Sequence, residues 1–289
     1  MKTKLRGTGV AMVTPFNSDK TIDFNGLSNL IEYLIGGGVE FLVSMGTTGE
    51  SAVLSKEEKD EVVTFSKEKI NGRVPFVVGI GGNNTAAIVT QIKNTDFTGV
   101  DAILSVSPAY NKPTQEGIYQ HFKSIAEACP VDIILYNVPG RTSSNMAAST
   151  TLRLANDFEN IAAVKEASGD MEQIMAILRD RPDGFAVLSG DDALTLPMVL
   201  MGADGVISVQ AMVKPTEFSE MVRKGLAGDI ENARALHYPQ LEIIDHIFSE
   251  GNPAGVKACL QIKGICKEHL RLPLVEISRE RYKILEGLL

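Results

Sequence analysis

Val131-Asp-Ile-Ile-Leu-Tyr-Asn-Val-Pro-Gly-Arg141 is an apolar, β-branched run that ends in polar residues and a Pro-Gly turn. An apolar run without alternation is the pattern of a parallel strand covered on both faces, whereas a half-exposed strand alternates apolar and polar residues. The pattern recurs along the chain. Candidate strands fall at Gly9–Thr14, Phe41–Met45, Phe76–Gly79, Ala102–Val106, Ile133–Asn137, Ala162–Lys165, Ala186–Ser189 and Gly205–Val209. Helical patterns lie between them at Phe24–Ile35, Ser55–Ile70, Thr85–Thr95, Thr114–Ala128, Gly169–Arg179, Ala193–Met201 and Lys214–Leu226. Ser55 followed by Glu58 has the spacing of a capping box and marks a helix start.

Eight strands, seven of them followed by a helical pattern, predict an α/β fold, a (β/α)8 TIM barrel, because an open doubly wound sheet would leave some units unplaced. No Pro/Gly/Ser-rich linker interrupts this stretch, so residues 1–227 are expected to form one catalytic barrel domain. Beyond it the strand signal stops. Ile230–Phe248, Pro253–His269 and Glu276–Leu289 read as helical, predicting a three-helix extension over 228–289.

Charge and composition narrow the function classes. The 289 residues carry 28 Lys+Arg against 36 Asp+Glu, a formal net charge of −8. That balance lacks the clustered basic residues that nucleic acid or an anionic membrane surface requires, so neither is an expected partner. No apolar run approaches the ~20 residues of a membrane span. The basic Met1–Arg6 segment precedes a run that Pro15 breaks too early for a signal peptide. Three cysteines (129, 259 and 266) form no disulfide framework and suit a reducing compartment, and the expected location is cytoplasmic. Asn83-Asn84-Thr85 is a glycosylation sequon only in form, for want of a secretory signal.

Lys165 stands out because it ends an apolar strand, in Ile161-Ala-Ala-Val-Lys165-Glu-Ala-Ser168. Burial disfavours an ammonium and depresses its pKa, and the resulting free amine can attack a carbonyl to form a Schiff base. The alternative is a rim lysine paired with Glu166 or Asp191. Other polar residues fall at equivalent strand ends, where barrel enzymes build their sites. Gly46-Thr47-Thr48-Gly49-Glu50 follows the second strand, Ser107-Pro108-Ala109-Tyr110 the fourth, Tyr136-Asn-Val-Pro-Gly-Arg141 the fifth and Gly190-Asp191-Asp192 the seventh. Together they bring an amine, phenols, hydroxyls and a guanidinium to one mouth, a set suited to a carbonyl compound that bears a carboxylate. Thr47-Thr48 between glycines can approach a small carboxylate. Tyr136 is a candidate acid/base, or else a core aromatic, and Arg141 is a candidate carboxylate clamp, or else a surface arginine.

Metal, nucleotide and cysteine chemistry find little support. Gly79-Ile-Gly81-Gly82 lacks the third glycine of a dinucleotide loop. His121, His237, His246 and His269 lie on predicted helices without metal-ligand spacing, so no metal is expected. Cys259 and Cys266 are seven apart on one predicted helix and are expected to pack.

Gly46-Thr-Thr-Gly-Glu50, Tyr136-Asn-Val-Pro-Gly-Arg141 and Lys165-Glu-Ala-Ser-Gly169 resemble the signatures of the pyruvate-dependent class I aldolase superfamily. Within it the chain is similar end to end to the dihydrodipicolinate synthases. Val13-Thr-Pro-Phe16, Gly117-Ile-Tyr-Gln-His-Phe122, Leu188-Ser-Gly-Asp-Asp192 and Asn252-Pro253 extend the resemblance. It implies that Lys165 forms a Schiff base with pyruvate, without a further cofactor, and that the derived enamine adds to L-aspartate 4-semialdehyde in the diaminopimelate route to lysine. Tyr136, Thr47 and Tyr110 match a proton-relay trio in which Tyr110 reaches a neighbouring subunit's site. Thr48 matches the binder of the pyruvate carboxylate, and Arg141 that of the aldehyde's carboxylate. Gly190, Asp191 and Ile207 match positions around the lysine or the mouth. The resemblance also implies a homo-oligomer, usually a tetramer. N-acetylneuraminate lyase shares the barrel, lysine and tyrosine, but typically has Gly-Ser-Thr-Gly-Glu in place of the Thr47-Thr48 motif and lacks an arginine placed like Arg141. A catalytically silent pyruvate-binding relative would leave the lysine–tyrosine–threonine set unexplained.

Lysine-inhibited family members use histidine, glutamate and tyrosine side chains at a feedback site. Ser51, Ala52 and Asn83 match it here, while Lys56, Ala87 and Ala109 replace a histidine, the glutamate and the tyrosine. Loss of the anionic partner and gain of an ammonium oppose binding of a cationic amino acid. L-lysine is therefore expected to inhibit weakly or not at all; titration of the condensation with lysine checks this, and inhibition at micromolar concentration contradicts it.

Overall fold

The computed structural model describes residues 5–289, in which eight parallel strands close on themselves in chain order. They are β1 (Gly7–Ala11), β2 (Phe41–Ser44), β3 (Phe76–Gly79), β4 (Ala102–Val106), β5 (Asp132–Asn137), β6 (Ile161–Glu166), β7 (Ala186–Ser189) and β8 (Gly205–Ser208). Helices α1 (Phe24–Gly36), α2 (Lys56–Ile70), α3 (Thr85–Lys93) and α4 (Gln115–Ala128) follow the first four strands. Both α5 (Pro139–Thr142) and α6 (Ala148–Asp157) follow β5, while α7 (Met171–Asp180), α8 (Thr195–Leu200) and α9 (Pro215–Leu226) follow β6, β7 and β8. Then come α10 (Ile230–Phe248), α11 (Ala254–Ile262) and α12 (Arg279–Leu288). The fold is the expected TIM barrel with three helices after it.

Strand parity divides the apolar residues between two cores. Val43, Val77, Leu104, Ile134, Ala163, Leu188 and Ile207 fill the barrel. Leu42, Val78, Ile103, Leu135, Val164, Val187 and Val206 face the surrounding helices. This double burial explains why the strands read as continuous apolar runs. Closure pairs Gly7 of β1 with Gly205 of β8, where a Cβ on Gly205 would lie 2.0 Å from the Gly7 carbonyl oxygen.

Three expected elements shift at one end by three residues or more. The first strand ends at Ala11, not Thr14, because β8 ends at Ser208 opposite Val10 and offers no further partner. The helix expected over Pro253–His269 stops at Ile262. Gly264 turns the chain in the left-handed region at φ +72°, so Cys266 and His269 lie outside the helix although Cys259 and Cys266 both pack in the core. The last helix begins at Arg279 rather than Glu276, where the Ser278 hydroxyl accepts the Arg281 backbone N–H. Beside the one-turn α5, a helix of ordinary length, α6, has no counterpart in the apolar spacing. Its buried face includes Thr150 and Thr151, and its first turn is held from α4 by the Gln115 carboxamide oxygen, which accepts Ala147 N–H and the Thr150 hydroxyl.

The C-terminal helices pack onto the barrel's helical layer, α10 against α9 and α8, and α11 against α10. Gly255 permits that last approach, since a Cβ there would sit 2.3 Å from the Ile247 carbonyl oxygen. No helix among the described residues is long and apolar enough to cross a membrane.

Candidate active site

Lys165 on β6 and Tyr136 on β5 are register partners, and both share the inward parity of Ala163 and Ile134. The lysine Nζ stands 4.5 Å from the centre of the Tyr136 ring. Burial drives the amine's pKa down to about 8; the positive charge of Arg141 pushes the same way, and the Asp192 carboxylate opposes it. Burial also raises the Tyr136 phenol, with Arg141 opposing. Gly190 leaves space for the lysine, because a Cβ there would lie 2.9 Å from Lys165 Cε and 2.6 Å from Ala167 Cβ.

The neighbouring carboxylates are separated by geometry. Glu166 has outward parity and is fully buried behind the barrel wall. It accepts from Asn137 Nδ2 at 3.0 Å, Ser168 N at 2.9 Å and Gln173 Nε2 at 3.1 Å. The Asp191 carboxylate accepts the backbone N–H groups of Ala193 and Leu194, at 3.0 and 3.3 Å, and so serves its own turn. Asp192 is the acidic residue whose charge acts on Lys165. It is buried and accepts from Ser208 Oγ (2.5 Å), Val209 N (3.1 Å) and Gln210 N (2.9 Å), which ties the β7 end to the β8 end. Sequence spacing does not distinguish Asp191 from Asp192.

The loop after β2 supplies the threonines. Met45 and Glu50 bracket it in left-handed conformations, at φ 60° and 52°, and the bonds Gly49 N–H to Gly46 O and Glu50 N–H to Thr47 O tighten it. Thr47 is exposed at the mouth and lines, with Tyr136, Ser51, Lys59 and Gln91, a cavity of about 140 Å³. Thr48 turns inward and is buried, its hydroxyl accepting from Asn252 Nδ2 at 2.9 Å. The Thr14 hydroxyl donates to the Gly49 carbonyl.

Beneath the loop lies an ion pair with no solvent contact. Lys257 Nζ donates to Glu50 Oε1 at 2.5 Å and to the His269 carbonyl at 2.8 Å, over the face of the Phe16 ring. The other Glu50 oxygen accepts Arg271 N–H at 3.1 Å. Nothing in the sequence pattern pairs Lys257 or Asn252 with this loop.

One chain thus gathers Lys165, Tyr136, Thr47, Thr48, Gly190 and Asp192 around the barrel mouth, with Ile207 in the barrel interior below. Arg141 sits exposed on α5, close enough for its charge to act on both Lys165 and Tyr136. Tyr110 stands apart. Its side chain is 90% exposed on a left-handed backbone and lies outside the cavity that Tyr136 and Thr47 line.

Fold and sequence both match known proteins. The model of the dihydrodipicolinate synthetase family matches residues 4–289. The chain belongs to that family. The 4-hydroxy-tetrahydrodipicolinate synthase of Flavobacterium psychrophilum is 53% identical over 274 residues, covering 95% of this chain and 94% of that protein. The crystal structure of dihydrodipicolinate synthase from Thermotoga maritima superimposes with a TM-score of 0.96 at 37% identity, covering 99% of this chain and 98% of that one. The chloride-inhibited dihydrodipicolinate synthase of Acinetobacter baumannii, solved with pyruvate, gives a TM-score of 0.94 at 38% identity over 98% of this chain and 97% of its own.

The ion pair under the loop generates a stability prediction for this family member. Lys257→Met strands the buried Glu50 carboxylate and is expected to cost about 3–5 kcal/mol in urea denaturation. Adding Glu50→Gln should recover most of that loss; a single variant as stable as the parent contradicts the role given to the pair.

Proposed function

We propose that this enzyme, a lyase of the dihydrodipicolinate synthetase family, condenses pyruvate with L-aspartate 4-semialdehyde to 4-hydroxy-tetrahydrodipicolinate through a Schiff base on Lys165. The observation that carries the reading is the Lys165 amine, enclosed at the mouth beside Tyr136, with its pKa lowered to about 8 by burial. Near neutral pH a useful fraction of such an amine is unprotonated and nucleophilic. The activity for which the Flavobacterium relative is named and the pyruvate in the Acinetobacter structure support the substrate class.

The nitrogen lone pair attacks the keto carbon of pyruvate, and the carbinolamine loses water to give an iminium. This cation acidifies the methyl group, and loss of a methyl proton gives an enamine. The enamine carbon attacks the aldehyde carbon, whose oxygen takes a proton. The amine of the second substrate then adds to the iminium carbon, which closes the ring and expels Lys165 as a free amine. Atoms balance with one water lost and no redox change, so the covalent lysine is the only electron sink the reaction needs. Tyr136 and Thr47, on one cavity, are the groups assigned to carry protons to and from carbinolamine and alkoxide. Thr48 holds the pyruvate carboxylate, and Arg141 that of the aldehyde. Asp192 keeps the lysine's proton affinity from falling further, and Gly190 and Ile207 shape the space around it. Tyr110, exposed in the single chain, joins the relay in a homo-oligomer, which we take to be a tetramer.

Borohydride with pyruvate is expected to add a single covalent adduct to the protein by mass spectrometry, located on Lys165 and absent in Lys165→Ala. Adduct on another lysine overturns the assignment. The initial trapping rate should rise with pH roughly tenfold per unit below about 8 and level off above, because only the free amine attacks. For Tyr136→Phe, kcat is expected to fall on the order of 10²–10⁴-fold; a fall below tenfold returns Tyr136 to a packing role.

A further inference from the structure

Asn252 belongs to a short Asn-Pro motif that the catalytic scheme leaves without a task. It sits in the turn between α10 and α11, after Gly251 at φ +96°, and is 9% exposed. Its side-chain amide crosses to the opposite end of the sequence and donates to the Thr48 hydroxyl at 2.9 Å, in a buried contact spanning 204 residues. Its own Oδ1 is buried without a hydrogen-bond partner among the described residues. Five residues on, Lys257 holds Glu50, two residues beyond Thr48. The same turn and helix therefore grip the loop at two points.

A threonine hydroxyl has one proton and two acceptor positions. With Asn252 N–H directed at its oxygen, the Thr48 proton cannot be spent on that amide, and it has no acceptor among the described residues. Donation into the hydroxyl oxygen also polarises the O–H bond, as in any hydrogen-bonded chain. A hydroxyl fixed in this sense presents its proton to an incoming anion. We infer that Asn252 is a positioning residue: it orients the Thr48 hydroxyl as an obligate donor to the substrate carboxylate and so sets affinity for the keto acid from outside the barrel. This rests on the Thr48 role proposed above.

The carboxylate is unchanged between bound substrate and transition state, so the contact is of the uniform kind that moves the half-saturating concentration and leaves the saturated rate alone. The test reads borohydride trapping of pyruvate by the full-length enzyme as a function of pyruvate concentration. Without the amide the Thr48 hydroxyl is free to rotate and its bond to the charged carboxylate weakens, so Asn252→Ala is expected to raise the half-saturating pyruvate concentration roughly three- to tenfold, with the saturating rate within twofold of the parent. Asn252→Asp keeps the shape but accepts the Thr48 proton, and should raise it further than Asn252→Ala. In a Thr48→Val background neither change should have an additional effect on half-saturation. Asn252→Asp behaving like the parent, or an Asn252→Ala effect undiminished in Thr48→Val, overturns the inference; the latter would mark Asn252 as a purely structural anchor. Failure of the parent enzyme to trap pyruvate overturns the Lys165 reading and this one with it, whereas trapping indifferent to Asn252 overturns this one alone.

Discussion

In a closed parallel barrel every strand residue points either into the barrel or into the layer between barrel and helices, and no face is left for water. Lys165 and Glu166, consecutive on β6, meet this constraint from opposite sides. Both are buried, at 6% and 0% exposure. Glu166 falls among amide donors and is held by three hydrogen-bonding residues. Lys165 falls among Ala163, Leu188 and Tyr136, so desolvation dominates and the proton is loosened. A one-residue slip of β6 would exchange the two surroundings. The register of β5, β6 and β7 is thus what buries this lysine and loosens its proton, and the net charge of the chain has no bearing on it.

The fields around that amine are opposed by design of position. Arg141, exposed on α5, lowers the proton affinity of both Lys165 and Tyr136, while the buried Asp192 raises that of the lysine. Asp192 is itself pushed toward neutrality by burial, and three donors from the β8 end pull it back. Asp192 thereby links the lysine's surroundings to the β8 end. Gly190 completes the arrangement by absence, since any side chain there would occupy the volume of the lysine's own methylenes.

What was legible in the sequence follows from which interactions are local. Strands buried on both faces announce themselves as apolar runs, and a lysine at the end of one is conspicuous for the same reason, so β2 to β8 and Lys165 could be read without a fold. The helix α6 could not, because Thr150 and Thr151 supply its buried face and Gln115 of another helix holds its first turn. Asp191 and Asp192 are chemically identical neighbours, and only the turn geometry assigns one to backbone N–H groups and the other to the lysine's surroundings. Lys257 reads as a helix lysine until the fold buries it against Glu50, and Cys266 reads as helical until Gly264 turns the chain. Tyr110 is legible only as a strand-end residue; the single chain leaves it in solvent.

One group of contacts that sequence could not reveal joins the C-terminal segment to the loop after β2 and the helix that follows it. Asn252 meets Thr48, Lys257 and Arg271 meet Glu50, and Arg271 also reaches Glu58 on α2. A loop with left-handed residues at Met45 and Glu50 has little regular structure of its own to fix it, and backbone conformations of that kind persist only where the surroundings over-determine them. Here a buried ion pair and a buried amide over-determine the loop from below, while Thr14 holds Gly49 from β1's side. Thr47 can then face the mouth and Thr48 the interior without either being free to exchange roles. The helices beyond the barrel are accordingly part of what shapes the site, since the loop that presents the two hydroxyls takes its conformation from them.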